Sequence, residues 1–168
     1  ELLQAPVMTT MPGKSAFPED HPLALGASAV STTKQIHHFL QEADVVFGVG
    51  CSFTRTSYGK TIPPGKVMIH STNNPADVNK DYSIDYGLIG DAKLVLQGVI
   101  GEIKARTNGA GNRNDGSAAA EVQAVKREWL DEWMPQLTSD EVPINPYRIL
   151  WDLMHNVDRA NTIITHDS

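Results

Sequence analysis

The sequence predicts an α/β fold in which a parallel β-sheet is covered by helices on both faces, followed by a helical carboxyl-terminal extension. Three observations predict this class. Short apolar runs alternate with helical stretches, the run 44–50 is continuous rather than alternating in polarity, and that run ends in glycine. A continuous β-branched run followed by a tight turn is typical of a parallel strand buried on both faces.

The first half of the chain is predicted to contain three strands and one helix. Residues 6–10 have strand character, and residues 33–43 place apolar side chains at helical spacing. The buried strand 44–50 follows, and a polar loop then leads to a second buried strand at 66–70. The apolar face of the helix consists of Ile36, Phe39, Leu40 and Ala43.

The next elements carry capping signals. Pro75 is predicted to begin a helical turn with Asn74 as its cap. A weaker strand is predicted over 82–89, and Asp91 is placed to cap a helix over 92–106. The apolar face of this helix consists of Val95, Leu96, Val99, Ile100 and Ile103.

The last third of the chain differs in composition from the first two thirds. Residues 108–117 hold three glycines and three asparagines and are predicted to be a flexible linker. An amphipathic helix is predicted over 117–136, with Pro135 and Pro143 bracketing its end. Asn145 and Pro146 cap a last helix, which leads to a buried strand at 162–164. The resulting domain division is 1–107 for a central domain, 108–143 for linker and helix, and 144–168 for the start of a following domain.

Composition narrows the functional classes. The 168 residues suffice for one domain with a real core. A net charge of -6 argues against a nucleic-acid partner or an anionic membrane surface. No apolar run reaches membrane-spanning length, and the single cysteine excludes a disulfide within the chain, so a cytoplasmic location is expected. The chain has no initiator Met and stops beside a predicted strand, so we expect a fragment of a longer protein.

The first candidate site follows the strand at 6–10. Thr10 and Lys14 flank a Pro-Gly turn, where a hydroxyl, an ammonium and backbone N–H groups are suited to bind a phosphate. The spacing of a Walker A loop is absent. A purely structural turn is an equally good interpretation.

The second candidate site follows the strand at 44–50, where open α/β sheets bind ligands. Gly48 and Gly50 match only part of a dinucleotide fingerprint, and Cys51, Ser52 and Arg55 follow them. Ligand contact and a simple strand-turn role both stay open. Cys51 is expected to be a small turn residue rather than a nucleophile, because no nearby histidine is placed as its base.

Two further strand ends complete the candidate set. Thr72, Asn73 and Asn74 stand where nucleotide-binding sheets often carry a carboxylate for ribose hydroxyls. These neutral side chains still offer hydrogen bonds. Asp91 and Ala92 begin a helix and either contact a base edge or, as we expect, serve as its own cap. The six histidines show no metal-binding spacing.

The order of the motifs resembles the middle domain of thiamine-diphosphate-dependent enzymes of the acetolactate synthase and 2-oxoacid decarboxylase kind. The resemblance covers about residues 5–106, and 144–168 resemble the opening of the following cofactor-binding domain. The segments that carry it are 5–10 with Gly13-Lys14 and Phe17-Pro18, then 21–26, 43–50, 66–70, 74–78 and 89–92.

The resemblance implies a division of labour among domains. Thiamine diphosphate and Mg2+ would be held by amino- and carboxyl-terminal domains that this chain lacks, so it is expected to be non-catalytic, with no catalytic or metal-binding residue of its own. Gly90-Asp91-Ala92 is not the G-D-G motif of the cofactor domain. The implied parent is a homo-oligomeric lyase or transferase that acts on 2-oxoacids, and the implied partners are its missing domains.

The resemblance also raises the question of a second cofactor. Some family members bind FAD or an adenine nucleotide in this domain. Here Ala29-Val30-Ser31-Thr32 replaces a G-M-H-G stretch, Ser52 replaces an arginine, and Thr72 replaces an acidic residue. These departures weigh against FAD. Two alternatives stay open: an autonomous nucleotide-binding enzyme with a related sheet, similar to sirtuins, and a purely structural oligomerisation module.

Overall fold

A computed structural model describes residues 2–108, 115–158 and 160–165. Most of the predicted linker at 108–117 lies outside this part. Five strands and four α-helices are present in the described residues, with a single 3-10 turn at Pro75–Asp77. The elements are β1 (Val7–Thr10), β2 (Ala24–Ser28), α1 (Lys34–Glu42), β3 (Val45–Val49), β4 (Val67–Thr72), β5 (Tyr86–Ile89), α2 (Ala92–Arg106), α3 (Ser117–Leu137) and α4 (Pro146–Asn156).

Among the described residues all strand pairs are parallel, and the strands form two sheets. One sheet pairs β1 with β2, and the other has the order β3-β4-β5. In the second sheet Val45 is opposite Val67, and Ile69 is opposite Tyr86. Parallel strands joined through helices confirm the predicted α/β class.

The chain divides into two compact units, residues 1–126 and 127–168. The core of the first unit consists of two apolar clusters. Ile36 is fully buried with Leu25 and Val122, while Leu40, Ile62 and Met68 form the second cluster. Met8 on β1 packs against both. Burying a side chain such as Ile36 contributes about 1.5–3 kcal/mol, so these clusters hold the helices on the sheets.

Helix α3 begins within the first unit. Val122 is fully buried in its core, His38 Nε2 lies 2.9 Å from Glu121 Oε1, and Gln123 donates to the carbonyl of Pro22 at 3.0 Å. These contacts attach the amino half of α3 to the first unit, although the sequence places it after the predicted linker.

The second unit is held by its own contacts. The ring of Trp133 contacts two others, with centroid distances of 6.0 Å to Trp129 and 5.0 Å to Tyr147. Arg148 donates to Asp140 at 2.7 Å and to Asp152 at 2.8 Å. The predicted packing role of the tryptophans is confirmed. No described helix is both long and apolar enough to cross a membrane.

Helix starts match the capping signals. Asp91 Oδ1 accepts from the N–H of Leu94 at 3.1 Å, and α2 begins at the next residue. Asn74 caps the 3-10 turn, and Asn145 caps α4. These predictions hold because a side-chain oxygen at the N-cap satisfies an N–H that the helix leaves unpaired.

Two local predictions were wrong or incomplete. Strand β2 was missed because its sequence, rich in alanine and glycine, has low β-propensity. The helix predicted over 117–136 is confirmed, because α3 ends at Leu137, between Pro135 and Pro143. Val45 is 44% exposed and Val49 36%, so β3 is not buried on both faces. The edge of β3 away from β4 also has no paired strand among the described residues.

The predicted strand at 162–164 is also wrong. Residues 162–165 have no regular structure, and Ile163 is 94% exposed. A strand needs a neighbour to satisfy its backbone hydrogen bonds, and no described strand pairs with this segment.

Candidate functional site at the carboxyl edge of the sheets

The carboxyl ends of β3, β4 and β5 meet at one edge. The N–H of Gly50 donates to the carbonyl of Ser71 at 2.9 Å, and that of Gly90 donates to the carbonyl of Thr72 at 3.0 Å. These bonds continue the ladder beyond the strands, so the predicted site residues after β3, β4 and β5 are neighbours. This is the edge at which open α/β sheets bind ligands.

Gly48 makes room for an aromatic ring. A Cβ at this position would lie 2.5 Å from Cε2 of Phe53 and 2.7 Å from Sγ of Cys51. Phe53 itself has φ +47°, which turns its side chain back over the strand end. The structure thus gives Gly48 a packing role. Gly50 differs, because it has φ +64° and open space around a Cβ, as a turn residue requires.

His70 fastens the loop after β3 to the sheet. Its side chain is fully buried, and Nε2 lies 2.7 Å from the carbonyl oxygen of Cys51. Because a carbonyl only accepts, Nε2 carries the hydrogen. The ring of Phe53 packs edge-on against His70 at a centroid distance of 4.8 Å. Together these contacts fix the position of the residues between Gly50 and Phe53.

The thiol of Cys51 is not activated. Burial raises its pKa above the ordinary value, and the negative charge of Asp77 raises it further. A nucleophilic cysteine needs a lowered pKa. The geometry therefore supports the prediction that Cys51 is a turn residue.

Arg55 is exposed and held by two neighbours. Its backbone N–H donates to Asp81 Oδ2 at 2.8 Å, and its guanidinium lies 4.4 Å from the centroid of the Tyr82 ring. Ser52 Oγ and Thr54 Oγ1 are hydrogen-bonded to each other at 2.8 Å. The carboxylate of Asp81 lies at the Arg55 backbone and opposes the binding of a polyanionic ligand at this loop.

The polar residues after β4 mostly satisfy one another. Thr72 is buried, and its hydroxyl accepts from the N–H of Asn74 at 3.1 Å. Asn74 Oδ1 accepts from the N–H of Ala76 at 3.2 Å. Asn73 is exposed beside them. Thr72 and Asn74 therefore shape the turn, and Asn73 and Asn74 are both exposed to solvent.

Asp91 and Ala92 lie at the start of α2. The bond from Leu94 to Asp91 Oδ1 shows the expected self-capping. Ala92 is the first residue of the helix and is half-buried. A ligand contact by the second carboxylate oxygen of Asp91 stays a prediction.

Thr10 and Lys14 belong to the other sheet. The N–H of Gly13 donates to the carbonyl of Thr10 at 3.0 Å and to its hydroxyl at 3.1 Å. The N–H of Lys14 donates to Met11, and the ammonium of Lys14 lies 3.8 Å from Glu19. Two amides that would cradle a phosphate are thus used within the turn, which favours the structural interpretation.

The residues present do not fit a metal-diphosphate group. Among the residues that the structure describes, no three His, Cys, Asp or Glu side chains are grouped to hold a metal ion. Two buried polar atoms do lack a described partner at the end of β4, Nδ1 of His70 and Oγ of Ser71. Chemically, the described residues of this edge offer hydrogen-bonding groups, among them these two atoms.

Sequence reasoning missed the two residues that organise this edge. Neither Phe53, three residues after Gly50, nor His70, at the end of the second buried strand, was among the candidate site residues. A histidine inside an apolar strand was a usable signal, since buried polar groups find partners. The return of Phe53 over Gly48 depends on a positive φ that the sequence does not announce.

Comparisons with known proteins agree with this architecture. A family model described as the central domain of thiamine pyrophosphate enzymes matches residues 1–99. Across 99% of its length the chain is 34% identical to a probable acetolactate synthase large subunit of Methanococcus aeolicus and 33% identical to that of Methanocaldococcus jannaschii. It covers 29% and 28% of those two relatives. An acetolactate synthase of Mycobacterium avium is 32% identical over 81% of the chain.

Proposed function

The chain belongs to the family of thiamine pyrophosphate enzyme central domains, and from this premise we propose that it is the non-catalytic central part of an acetolactate synthase-like enzyme. The enzyme would be a lyase or transferase that decarboxylates or joins 2-oxoacids. The observation that carries the proposal is the alignment of nearly the whole chain with acetolactate synthase large subunits of which it spans less than a third.

The geometry supports the non-catalytic part of this proposal. Cys51 has a raised pKa, Asp91 is used as a helix cap, and the carboxyl edge holds no described metal cluster. Thiamine diphosphate and Mg2+ would therefore be bound by other domains of the same polypeptide. When bound there, thiamine diphosphate supplies the carbanion chemistry of 2-oxoacid decarboxylation. The proposed division into 1–107, 108–143 and 144–168, a homo-oligomeric assembly and a cytoplasmic location belong to this proposal.

We also propose that the carboxyl edge is a crevice for FAD or another adenine nucleotide, with one observation in favour of this ligand and two against it. The unpartnered His70 Nδ1 and Ser71 Oγ favour an occupant. Against it, Thr72 and Asn74 bond within the turn, and Val30, in the stretch where FAD-binding members carry G-M-H-G, is fixed by a 2.9 Å bond to Tyr58. The contacts would come from Gly50, Ser52, Arg55, Asn73 and the free oxygen of Asp91.

An activity measurement tests the catalytic proposal. The polypeptide encoded by the complete gene should consume pyruvate only with thiamine diphosphate and Mg2+, and the 168-residue chain should not. Turnover by the chain alone would contradict the assignment. Measurable NAD turnover by the chain would instead support the sirtuin-like alternative.

Thermal denaturation tests the ligand. FAD, ADP and coenzyme A are each added at 100 times a micromolar dissociation constant, where binding to the native state stabilises by about 2.7 kcal/mol. A shift with any of them supports the crevice. No shift with all three supports a purely structural or oligomerisation module.

A further inference from the structure

The outer edge of β5 carries nothing that would block a further strand. β5 pairs with β4 and, in the described part of the chain, with no other strand. Residues 86–90 are Tyr-Gly-Leu-Ile-Gly and include neither a charged side chain nor a proline. Natural proteins usually protect an exposed edge with such residues, because its free peptide groups pair readily with another strand. Tyr86 and Ile89 are 63% and 52% exposed, so this edge is open to a partner.

The free peptide groups of this edge belong to Gly87 and Ile89. The N–H of Gly90 donates to the carbonyl of Thr72, and Thr72 is opposite Ile89 in the register. Gly90 thus faces β4, and because peptide groups alternate sides along a strand, Ile89 and Gly87 face away from it. Such an edge is self-complementary. In an antiparallel pair centred on Leu88, Gly87 of one copy would exchange two hydrogen bonds with Ile89 of the other.

An apolar groove lies beside this edge, between β5 and one flank of α2. Its volume is about 490 Å³, and its lining includes Leu88, Leu94, Gly98, Glu102 and Arg106. Leu94 is 66% exposed, and a Cβ at Gly98 would have open space around it. Leu88 belongs to both the edge strand and the groove, so the two form one continuous surface.

Pairing of two β5 edges would also bring two copies of α2 together. β5 rises about 3.3 Å per residue and α2 returns at about 1.5 Å per residue, so Leu88 is level with about residue 97 of the helix. A two-fold axis through Leu88 therefore places Leu94 of one copy near Gly98 and Gly101 of the other. Both glycines have open space where a Cβ would stand, so they leave room for the leucine side chain.

The charges of α2 are compatible with this arrangement. Antiparallel helices place the amino end of each beside the carboxyl end of the other, which opposes their macrodipoles favourably. Asp91 caps the amino end and Arg106 lies in the last turn, so these opposite charges would be neighbours across the contact. At helical spacing Lys93 and Lys104 lie on the flank that carries Leu96, away from the groove.

We infer that the β5 edge and this flank of α2 form a two-fold interface with a second copy of the chain, in which the β5 strands pair in antiparallel orientation. The inference rests on the proposed function in one respect, because it assigns a surface to the proposed homo-oligomeric assembly. Its tests require neither cofactor nor turnover. Their failure would therefore leave the proposed thiamine-dependent parent standing.

Analytical ultracentrifugation of the 168-residue chain tests the association. The chain should show a monomer–dimer equilibrium, and Leu94→Glu should weaken dimerisation at least about 10-fold, because a carboxylate would enter an apolar groove. Leu96→Glu, on the other flank of the same helix, is the matched control and should leave dimerisation unchanged. Adding Gly101→Lys to Leu94→Glu should restore the dimer. A chain that stays monomeric up to about 1 mM, or equal effects of the two glutamate substitutions, overturns the inference.

Cysteine cross-linking locates the contact in the chain and in the polypeptide encoded by the complete gene. The two copies of Leu88 would form a non-hydrogen-bonded antiparallel pair with Cα atoms about 4.5 Å apart, a separation that a disulfide can span. In a Cys51→Ser background, Leu88→Cys should therefore cross-link two copies under mild oxidation, and Leu96→Cys should not. Absence of the cross-link from both proteins overturns the inference. A cross-link in the chain but not in the complete polypeptide also overturns it, because another segment would then cover the edge.

Discussion

The substitution Gly48→Ala tests how the loop after β3 closes on the sheet. The added methyl would meet Cζ and Cε2 of Phe53, the latter at 2.5 Å, and Sγ of Cys51 at 2.7 Å. Real contacts of this kind stay above 3.0 Å. The Phe53 ring has little freedom to move, because it packs on His70 and Tyr82 with centroids at 4.8 and 6.1 Å.

These contacts determine how much stability Gly48→Ala should lose. Overpacking by one methyl group costs about 1–3 kcal/mol, and losing an aromatic pair costs about 0.5–1.5 kcal/mol. We expect Gly48→Ala to lower the free energy of unfolding by about 2–3 kcal/mol. Urea denaturation should show a lower midpoint at an unchanged slope. The melting temperature should fall by about 4–12 °C.

Two controls separate the clash from backbone strain. Gly50→Ala has open space but a φ of +64°, so it should cost about 1–2 kcal/mol from backbone strain alone. In a Phe53→Ala background, Gly48→Ala should cost less than 1 kcal/mol, because most of the clash is gone. An equal cost in both backgrounds would refute the packing explanation.

Three further predictions address the same edge. His70→Leu should cost about 1–3 kcal/mol and speed proteolysis between residues 51 and 61, because the carbonyl of Cys51 loses its donor; unchanged cleavage would show that another contact holds the loop. Asp91→Ala should cost about 1 kcal/mol in urea denaturation and Asp91→Asn much less, since the amide oxygen still accepts from Leu94; equal losses would rule out a capping role. Cys51 should react with iodoacetamide more slowly in the folded chain than in the chain unfolded by urea, because burial raises the pKa of its thiol. The reaction rate of the folded chain should still rise above pH 9. A rate that reaches its plateau below pH 8 would contradict this.

The sequence predicted the elements whose signals are local. The position of Asp91 correctly predicted the first residue of α2, because capping depends on a single side chain. Strands that depend on distant partners were harder to predict. β2 has weak intrinsic propensity, and the apolar segment at 162–164 finds no described strand to pair with.

The same limit applies to the site. The position of the candidate residues at the carboxyl ends of strands followed from the general geometry of parallel sheets. What each side chain does there was less predictable. Thr72 and Asn74 bond within their own turn, and Phe53 covers Gly48 through a backbone conformation with positive φ. Such details arise from contacts between segments rather than from local pattern.

The dependence of pyruvate consumption on thiamine diphosphate in the polypeptide encoded by the complete gene, measured beside the 168-residue chain, tests the central claim most directly. The account predicts turnover by the complete polypeptide only when thiamine diphosphate and Mg2+ are present, and none by the chain. Turnover by the chain alone, or a complete polypeptide that turns over no 2-oxoacid with the cofactor present, would contradict it.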